Sequence, residues 1–383
     1  MNKKVKTIIL AVLTLLLVGE IGFLAFRVMK QSGEEPVEMA AVTEATTEAP
    51  TEVPTEAPTE APTEAFTEAA TEAPTDLPAQ YADPLTGEPL EKPHKTRIFA
   101  VTINNVPDAL PHVGTQKAGL YFEMFINDYA TRGLALYSDI RDTEVIGSVR
   151  SWRYNFTDLA IAYDAFGVHA GGSDKVLADA RTNKIDHVNV LSASGTSFRD
   201  KDRKSKGYSN EHTLMIKGPE LYSYAKNKDI RVKQDEGKTY GLNFAPDGTP
   251  AAGEPANLIN ITFNHKGHKK TSTLTYDEAL GQYLYTQYGK GADSVTEATR
   301  ESFENVFVIL TEVTNQGIYH VADLDSGGEG YYACGGKIIK IRWHHEKPTD
   351  PITFTLEDGT PLVQGIGSSY IGICPLQSTV KFE

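Results

Sequence analysis

A repeat of Thr, Glu, Ala and Pro fills residues 43–75 and sets the strongest limit on what this chain can fold into. The repeat has no apolar face at a helical or strand period, so burial cannot offset the entropy that folding would cost. Its frequent prolines favour an extended polyproline II conformation of roughly 3.1 Å per residue. Residues 34–80 carry twelve acidic residues and no basic one. We therefore expect this segment to be a disordered linker that acts as a spacer.

The segment before the linker is a candidate membrane anchor. Residues 7–26 form an apolar run that is long enough, at about 1.5 Å per residue, to cross a hydrocarbon core of about 30 Å. Three lysines precede the run, which by the positive-inside rule keeps the N-terminus in the cytoplasm. A cleaved signal peptide is the alternative, but its apolar core is normally about 7–15 residues long. We predict that residues 1–33 are a cytoplasmic tip and a single-pass anchor in the cell membrane, with the C-terminal part extracytoplasmic.

The charge balance of the remaining chain limits its partners. Residues 81–383 hold 32 basic and 38 acidic residues, so they offer no general basic face for a nucleic acid backbone. We therefore exclude DNA and RNA. The expected partners are the membrane, through the N-terminal helix, and a cell-wall component or an envelope protein.

Strand and helix patterns alternate from residue 83 to residue 230, which indicates α/β layering. Strands are predicted at 97–103, 144–151, 165–170 and 187–193, a hairpin pair at 121–128 and 131–139, and helices at 156–165, 173–182 and 217–227. Ser173 and Pro219 stand where an N-cap and a first helical turn are expected.

The pattern of apolar and turn-forming residues changes after residue 231. Short runs of β-branched and aromatic residues alternate with Gly, Asp and Asn, and Asp358-Gly359 is a strong hairpin signal. We predict an α+β fold, with an N-terminal α/β lobe that holds a mixed sheet (83–230) and a mostly antiparallel β C-terminal lobe (231–383).

Candidate binding residues concentrate in the first lobe. Arginine binds phosphate or carboxylate groups through two parallel hydrogen bonds, and a helix N-terminus adds oriented N–H groups. Convergence of such groups at the carboxyl ends of the strands would form an anion-binding crevice, whereas burial with internal partners would argue against a site. The predicted ligand-binding residues are Arg132, Arg150, Ser151, Arg153, His169, Gly171, Gly172, Ser173, Asp200 and Arg203.

These residues also have structural interpretations. Arg150 and Arg153 are alternatively partners of Asp158 or Asp164, and His169 is alternatively a hydrogen-bonded core histidine.

The same region lacks a recognisable catalytic motif. The Gly-Gly-Ser turn at 171–173 matches neither a phosphate-binding loop nor a nucleophile elbow. No ligand set of a metal site is evident, because His265 and His268 lie in a lysine-rich loop. The catalytic residues, if the protein is an enzyme, stay unknown at this point, and we predict no metal and no cofactor.

Cys334 and Cys374 fall in predicted strands of the second lobe. An oxidising exterior permits a disulfide between them, and two buried free thiols are the alternative. The sequence leaves the choice open.

Several segments resemble the YerB-like family of bacterial cell-surface proteins, often lipoproteins, which carry a domain of unknown function (DUF3048). The resemblance covers roughly residues 83–383 and includes VTINN, GLYFEMF, TRGLALYSD, IGSVRSWRYNFTDLAIAYDAFGVHAGGS, SFRDKDR and GEGYYACGGKIIKIRWHH. Family members typically have Asp-Asn at the positions of Asn104 and Asn105. Because this chain lacks that aspartate, a mechanism with a catalytic acid at this position is weakened. The resemblance implies an envelope location and the domain limits, and it supplies no mechanism.

These features favour a membrane-anchored envelope protein that binds an anionic or glycan-type ligand, or a protein partner, without catalysis. One alternative is a hydrolase or transferase on wall material that uses His169 with Asp200 or Glu123. A purely structural interaction protein is the other.

Overall fold

The computed structural model describes residues 81–128, 130–288 and 301–383. Within these ranges no helix is both long and apolar enough to span a membrane. The predicted anchor and linker lie outside the described residues, so both stay predictions.

The described part of the chain contains short and long strands and a few helices. The first strands are β1 (Tyr81–Ala82), β2 (Pro89–Leu90), β3 (Phe99–Asn105), β4 (Leu120–Asn127), β5 (Ala130–Tyr137), β6 (Ile146–Gly147), β7 (Phe166–His169), β8 (His187–Asn189), β9 (Ser197–Arg199) and β10 (Leu214–Ile216). The α-helices are α1 (Tyr154–Ala162), α2 (Asp174–Thr182), α3 (Lys201–Ser205) and α4 (Gly218–Asn227).

The later strands are β11 (Phe244–Ala245), β12 (Glu254–Pro255), β13 (Leu258–His265), β14 (His268–Asp277), β15 (Gln282–Gln287), β16 (Ser302–Phe303), β17 (Asn305–Thr311), β18 (Val313–Gln316) and β19 (Tyr319–Ala322). They continue with β20 (Gly328–Cys334), β21 (Lys337–His344), β22 (Thr353–Thr355), β23 (Gln364–Gly365), β24 (Ser369–Pro375) and β25 (Thr379–Phe382).

A mixed sheet forms the centre of the fold. Among the described residues it has eleven strands in the order β12-β21-β20-β17-β24-β4-β5-β3-β7-β8, with β22 paired to β21. Strand β5 lies between β4 and β3 and is antiparallel to both, whereas β24 runs parallel to β4, and β7 and β8 run parallel to β3. A second, antiparallel sheet has the order β16-β15-β14-β13-β25. The predicted α+β class is confirmed, and the central sheet takes strands from both sides of residue 230.

The central sheet is covered on both faces. Alternation along β4 sends Tyr121 and Phe125 to one face and Phe122 to the other. Phe125 packs edge-on against Phe263 of the second sheet, with ring centroids 5.8 Å apart. Phe122 packs against Tyr163, just after α1, at 5.6 Å. Burial on both faces explains why these strands have near-continuous apolar sequences.

Local signals in the first lobe are largely confirmed. The Ser173 hydroxyl accepts the Val176 N–H at 3.4 Å and caps α2, and Pro219 lies in the first turn of α4. The strand predicted at 187–193 ends at Asn189, because the Asn189 side chain accepts the Leu191 N–H and its carbonyl accepts the Ser192 hydroxyl. These bonds turn the chain away from the sheet.

Both cysteines are buried free thiols in the structure. Burial raises the pKa of each thiol and so suppresses the reactive thiolate. We expect slow labelling of the native, unreduced protein by a thiol reagent, and labelling of both cysteines without reductant after unfolding. Mass spectrometry of the labelled protein measures this. A requirement for reductant in the unfolded protein would show a disulfide instead.

Candidate functional site

The carboxyl end of β3 meets β5 and the segment that leads into α1. Arg132 of β5 lies opposite Asn104 of β3 in the antiparallel register. On its other side β3 pairs with β7 only through residues 99–101. Beyond these, residues 148–150 pair with the same edge of β3. The Asn104 N–H donates to the Ser148 carbonyl at 2.8 Å, and the Arg150 N–H donates to the Thr102 carbonyl at 3.2 Å. Backbone pairing therefore brings predicted residues from distant segments to one junction.

Three arginines, Arg132, Arg150 and Arg153, form an arginine cluster at this junction. Arg132 is only 4% exposed, and its Nη1 donates to the Ser151 carbonyl at 3.1 Å. Burial, and then the charges of Arg153 and Arg150, hold the pKa of Arg132 well below its ordinary value. Among the described residues, the Nε atoms of all three arginines lack a hydrogen-bond acceptor. A buried guanidinium that is incompletely paired is costly in free energy.

Among the described residues, one carboxylate forms an ion pair with the arginine cluster. Glu211 Oε2 lies 2.9 Å from Arg150 Nη1, and its side chain is 53% exposed. The Arg153 guanidinium lies 5.0 Å from the centre of the Tyr319 ring, and its Nη1 donates to a backbone carbonyl. Three cations therefore face one partly solvated anion, and the cluster opens to solvent at Glu211.

The alternative partners of these arginines are engaged elsewhere. Asp164 pairs with Arg231 and Arg97, and Asp158 accepts from Asn155 at 3.1 Å.

Further buried polar atoms surround the junction without partners in the described residues, namely Asn104 Oδ1 and Ser148 Oγ. The Asn104 amide nitrogen lies 2.8 Å from His212 Nδ1. Burial lowers the pKa of His212, with Glu211 acting in the opposite direction. Buried polar groups in native proteins normally have partners. The Ser148 hydroxyl and the arginine Nε–H groups can each donate to a further acceptor, whereas Asn104 Oδ1 can only accept.

The glycine turn after β7 lies beside this junction. The Ala170 N–H donates to the Arg150 carbonyl at 2.8 Å, and the Ser151 hydroxyl donates to the Ala170 carbonyl at 3.3 Å. Gly171 has a φ of +78°, which favours glycine, and its N–H donates to Asn189 Oδ1 at 3.0 Å. A side chain at Gly172 would crowd Leu177.

His169 is completely buried and its ring is fully hydrogen-bonded. Nδ1 lies 2.8 Å from the Gly171 carbonyl, and Nε2 lies 2.9 Å from His187 Nδ1. Burial, aided by His187, lowers the pKa of His169 to about 4. This placement is that of a core histidine and leaves neither ring nitrogen available to a ligand.

The lowered pKa of His169 predicts a loss of stability in mild acid. The folded protein keeps His169 neutral down to about pH 4, whereas the unfolded chain protonates it near pH 6.5. As the pH falls through this window, protons favour the unfolded state, and we expect up to about 3 kcal/mol of the free energy of unfolding to be lost. Urea unfolding between pH 7 and pH 4.5 measures the loss. It should shrink in His169→Gln, and an identical pH dependence in both proteins would contradict the prediction.

Asp200 and Arg203 serve the fold around the junction. Asp200 caps α3 by accepting the N–H groups of Asp202 and Arg203 at 2.8 and 3.1 Å. The buried Arg203 guanidinium donates to the carbonyls of Ala109 and His212 at 2.8 and 3.2 Å, and also to that of Pro111. Arg203 thus positions the turn that carries Glu211 and His212.

Glu123 lies on the opposite face of the central sheet, where it pairs with Lys270. Within the described residues no hydrogen bond or ion pair joins His169 to Glu123 or Asp200. Lys270 is not among the residues predicted from the sequence. Its signal was the alternation of β14, in which Lys270, Ser272 and Leu274 share the inward face.

Comparisons with known proteins agree with this fold. Two family models match, "Protein of unknown function (DUF3048) N-terminal domain" at residues 85–231 and the corresponding C-terminal domain at residues 259–371. The chain belongs to the DUF3048 family. The resemblance inferred from the sequence is thereby confirmed.

YerB of Bacillus subtilis matches this DUF3048 protein both in sequence and in structure. The chain is 28% identical over 301 residues to "Putative lipoprotein YerB" of strain 168, covering 76% of this chain and 86% of that protein. The crystal structure of YerB protein matches with a TM-score of 0.65 at 23% identity, covering 78% of this chain and 99% of that one. This structural likeness shows a shared fold.

Both DUF3048 domains contribute to the interactions described above. The arginine cluster lies in the N-terminal domain, and Tyr319, beneath Arg153, lies in the C-terminal one. Glu123 and Lys270 join the two domains on the other face.

Proposed function

We propose that this DUF3048 protein is an extracytoplasmic envelope protein that binds an anionic ligand at the arginine cluster and does not catalyse a reaction. The proposal depends mainly on the environment of Arg132. This arginine is buried beside two further arginines, and its Nε has no hydrogen-bond acceptor among the described residues. A phosphate or carboxylate oxygen is the strongest acceptor for such a donor.

The geometry favours a ligand whose charged group enters beside Glu211. Arg150 and Glu211 are partly exposed, whereas Arg132 is almost fully buried. An entering anion would add the negative charge that Glu211 supplies only in part. The Tyr319 ring beside Arg153 adds an apolar contact for the rest of the ligand.

The envelope location rests on the chain's own N-terminus and on its relative. The relative is named as a lipoprotein, and residues 7–26 of this chain are a predicted anchor. A linker of residues 34–80 would carry the domain away from the membrane, within reach of wall polymers. Phosphate or carboxylate groups on such polymers are the ligands that this arrangement would meet.

The enzyme alternative has less support. Its residues His169, Asp200 and Glu123 are each engaged by their own structural partners.

Binding to purified cell-wall fragments tests the proposal. The full chain, in detergent, is sedimented with the fragments at low and high salt, and the supernatant is analysed for released wall products. We expect salt-sensitive co-sedimentation, its loss on removal of phosphate- and carboxylate-bearing polymers, and no released products. Released products would establish the enzyme alternative, and a failure to sediment at low salt would contradict anion binding.

A matched pair of variants links any binding to the cluster. Arg132→Met should reduce co-sedimentation, whereas Arg141→Met should not, because Arg141 is exposed and paired with Asp139. Equal binding by both variants would place the interaction elsewhere.

A further inference from the structure

Glu123 is the centre of a buried network that the proposed function does not use. Its side chain is fully buried between the central sheet and the β13–β15 strands. One oxygen, Oε1, accepts hydrogen bonds from Asn105 Nδ2 at 2.9 Å, Thr131 Oγ1 at 2.6 Å and Lys270 Nζ at 2.5 Å. The other, Oε2, accepts from Ser272 Oγ at 2.7 Å, Tyr285 OH at 2.8 Å and Tyr370 OH at 2.7 Å.

The two nitrogens that donate hydrogen bonds to Oε1 belong to groups that can react with each other. Lys270 supplies an amine, which is a nucleophile when neutral, and Asn105 supplies a carboxamide, whose nitrogen can depart as ammonia. Because both nitrogens contact the same carboxylate oxygen, Glu123 can exchange protons with each. The side-chain carbonyl oxygen of Asn105, Oδ1, accepts a hydrogen bond from Gln287 Nε2 at 2.5 Å, and this contact polarises the carboxamide carbonyl.

Aromatic rings and the Glu123 carboxylate surround the Lys270 amine. Lys270 Nζ lies 5.8, 5.6 and 5.2 Å from the ring centres of Phe263, Tyr285 and Tyr288. Burial lowers the pKa of Lys270, although Glu123 acts in the opposite direction. Moving one proton from the ammonium to the carboxylate removes two charges from a buried site, and burial favours that exchange. The charge of Lys270 and the hydrogen bonds from Thr131 and Ser272 act in the opposite direction and lower the pKa of Glu123, so the neutral pair is the minor, reactive form.

We propose that Lys270 and Asn105 form an intramolecular isopeptide bond, with Glu123 as the proton-transfer group. Glu123 first takes a proton from the Lys270 ammonium. The neutral Nζ then attacks Asn105 Cγ, and the charge that develops on Oδ1 is stabilised by Gln287. Glu123 gives its proton to Nδ2 and takes one from Nζ, so the Nζ–Cγ bond replaces the Cγ–Nδ2 bond and ammonia leaves. The step needs no oxidant, metal or cofactor.

The bond would join the two DUF3048 domains covalently. Asn105 ends β3 in the N-terminal domain, and Lys270 lies in β14 of the C-terminal domain. A protein tethered outside the membrane would gain a link between its two domains that does not require cysteine.

Mass spectrometry of the purified full chain tests the proposal. We expect an intact mass lower by one ammonia than the sequence requires. Proteolysis should give a branched peptide that joins the Asn105 segment to the Lys270 segment. A full sequence mass, with both segments recovered as linear peptides, would overturn the proposal.

Two variants test the role of Glu123. Glu123→Ala keeps both reacting residues and should have the full sequence mass. Lys269→Arg changes the exposed neighbour of Lys270 on the same strand and should keep the ammonia deficit. A branched peptide in Glu123→Ala would overturn the role of Glu123. The wild-type mass decides whether the bond exists even where the alanine variant does not fold.

Discussion

Replacing Arg132 with methionine is expected to stabilise the ligand-free fold while it weakens anion binding. Arg132 is almost fully buried, and burial and two neighbouring arginines lower its pKa. Methionine fills a similar space without a charge. Arg132 has no ion-pair partner among the described residues, and the substitution removes one hydrogen bond, to the Ser151 carbonyl. Removal of the unpaired buried charge outweighs that loss, and we expect a rise of about 1–3 kcal/mol in the free energy of unfolding.

The same substitution should weaken binding of an anion by about tenfold to a hundredfold, because a hydrogen bond to a charged group contributes about 1.5–3 kcal/mol. Urea unfolding without ligand measures the stability change. Arg141→Met is the control, with an expected stability change within about 0.5 kcal/mol because the side chain is exposed. A clear destabilisation by Arg132→Met would show instead that this arginine is a structural residue.

Replacing Arg203 with methionine should have the opposite effect on stability. Arg203 is also buried, but its guanidinium satisfies three backbone carbonyls, those of Ala109, Pro111 and His212. Each buried acceptor left without a donor costs about 1–3 kcal/mol. We expect a loss of about 3 kcal/mol overall, together with weaker anion binding, because the turn that carries Glu211 is released.

Urea unfolding again provides the measurement, with Lys204→Met as the control. Lys204 is the next residue in α3 and is exposed, so its replacement should change little. The two substitutions are thus expected to change stability in opposite directions, because among the described residues Arg132 donates to one backbone carbonyl and Arg203 to three. Equal stability of Arg203→Met and the wild type would contradict the positioning role of Arg203.

Local structure could largely be predicted from the sequence, because it depends on neighbouring residues. The alternation in β4 and β5, the capping serine before α2 and the proline in α4 all act within a few residues. The order of the central sheet could not be predicted, since β24 pairs with β4 across most of the chain. Such pairing depends on tertiary packing, which local propensity does not encode.

The candidate site was predictable in its residue types but not in its partners. Arg132, Arg150 and Arg153 do meet, yet this requires the pairing of β3 with β5 and of residues 148–150 with β3. His169 has the chemistry of a catalyst, and only its contacts with His187 and the Gly171 carbonyl show it to be a core residue. Lys270 was missed because its partner, Glu123, lies 147 residues away.

The affinity of the full chain for poly(glycerol phosphate) tests the anion-binding proposal most directly. The titration compares the wild type, Arg132→Met and Arg141→Met at low and high ionic strength. We predict that the wild type and Arg141→Met bind with similar affinity, that binding weakens as salt screens the charges, and that Arg132→Met binds at least about tenfold more weakly. Equal affinity of Arg132→Met and the wild type at both salt concentrations would contradict the account.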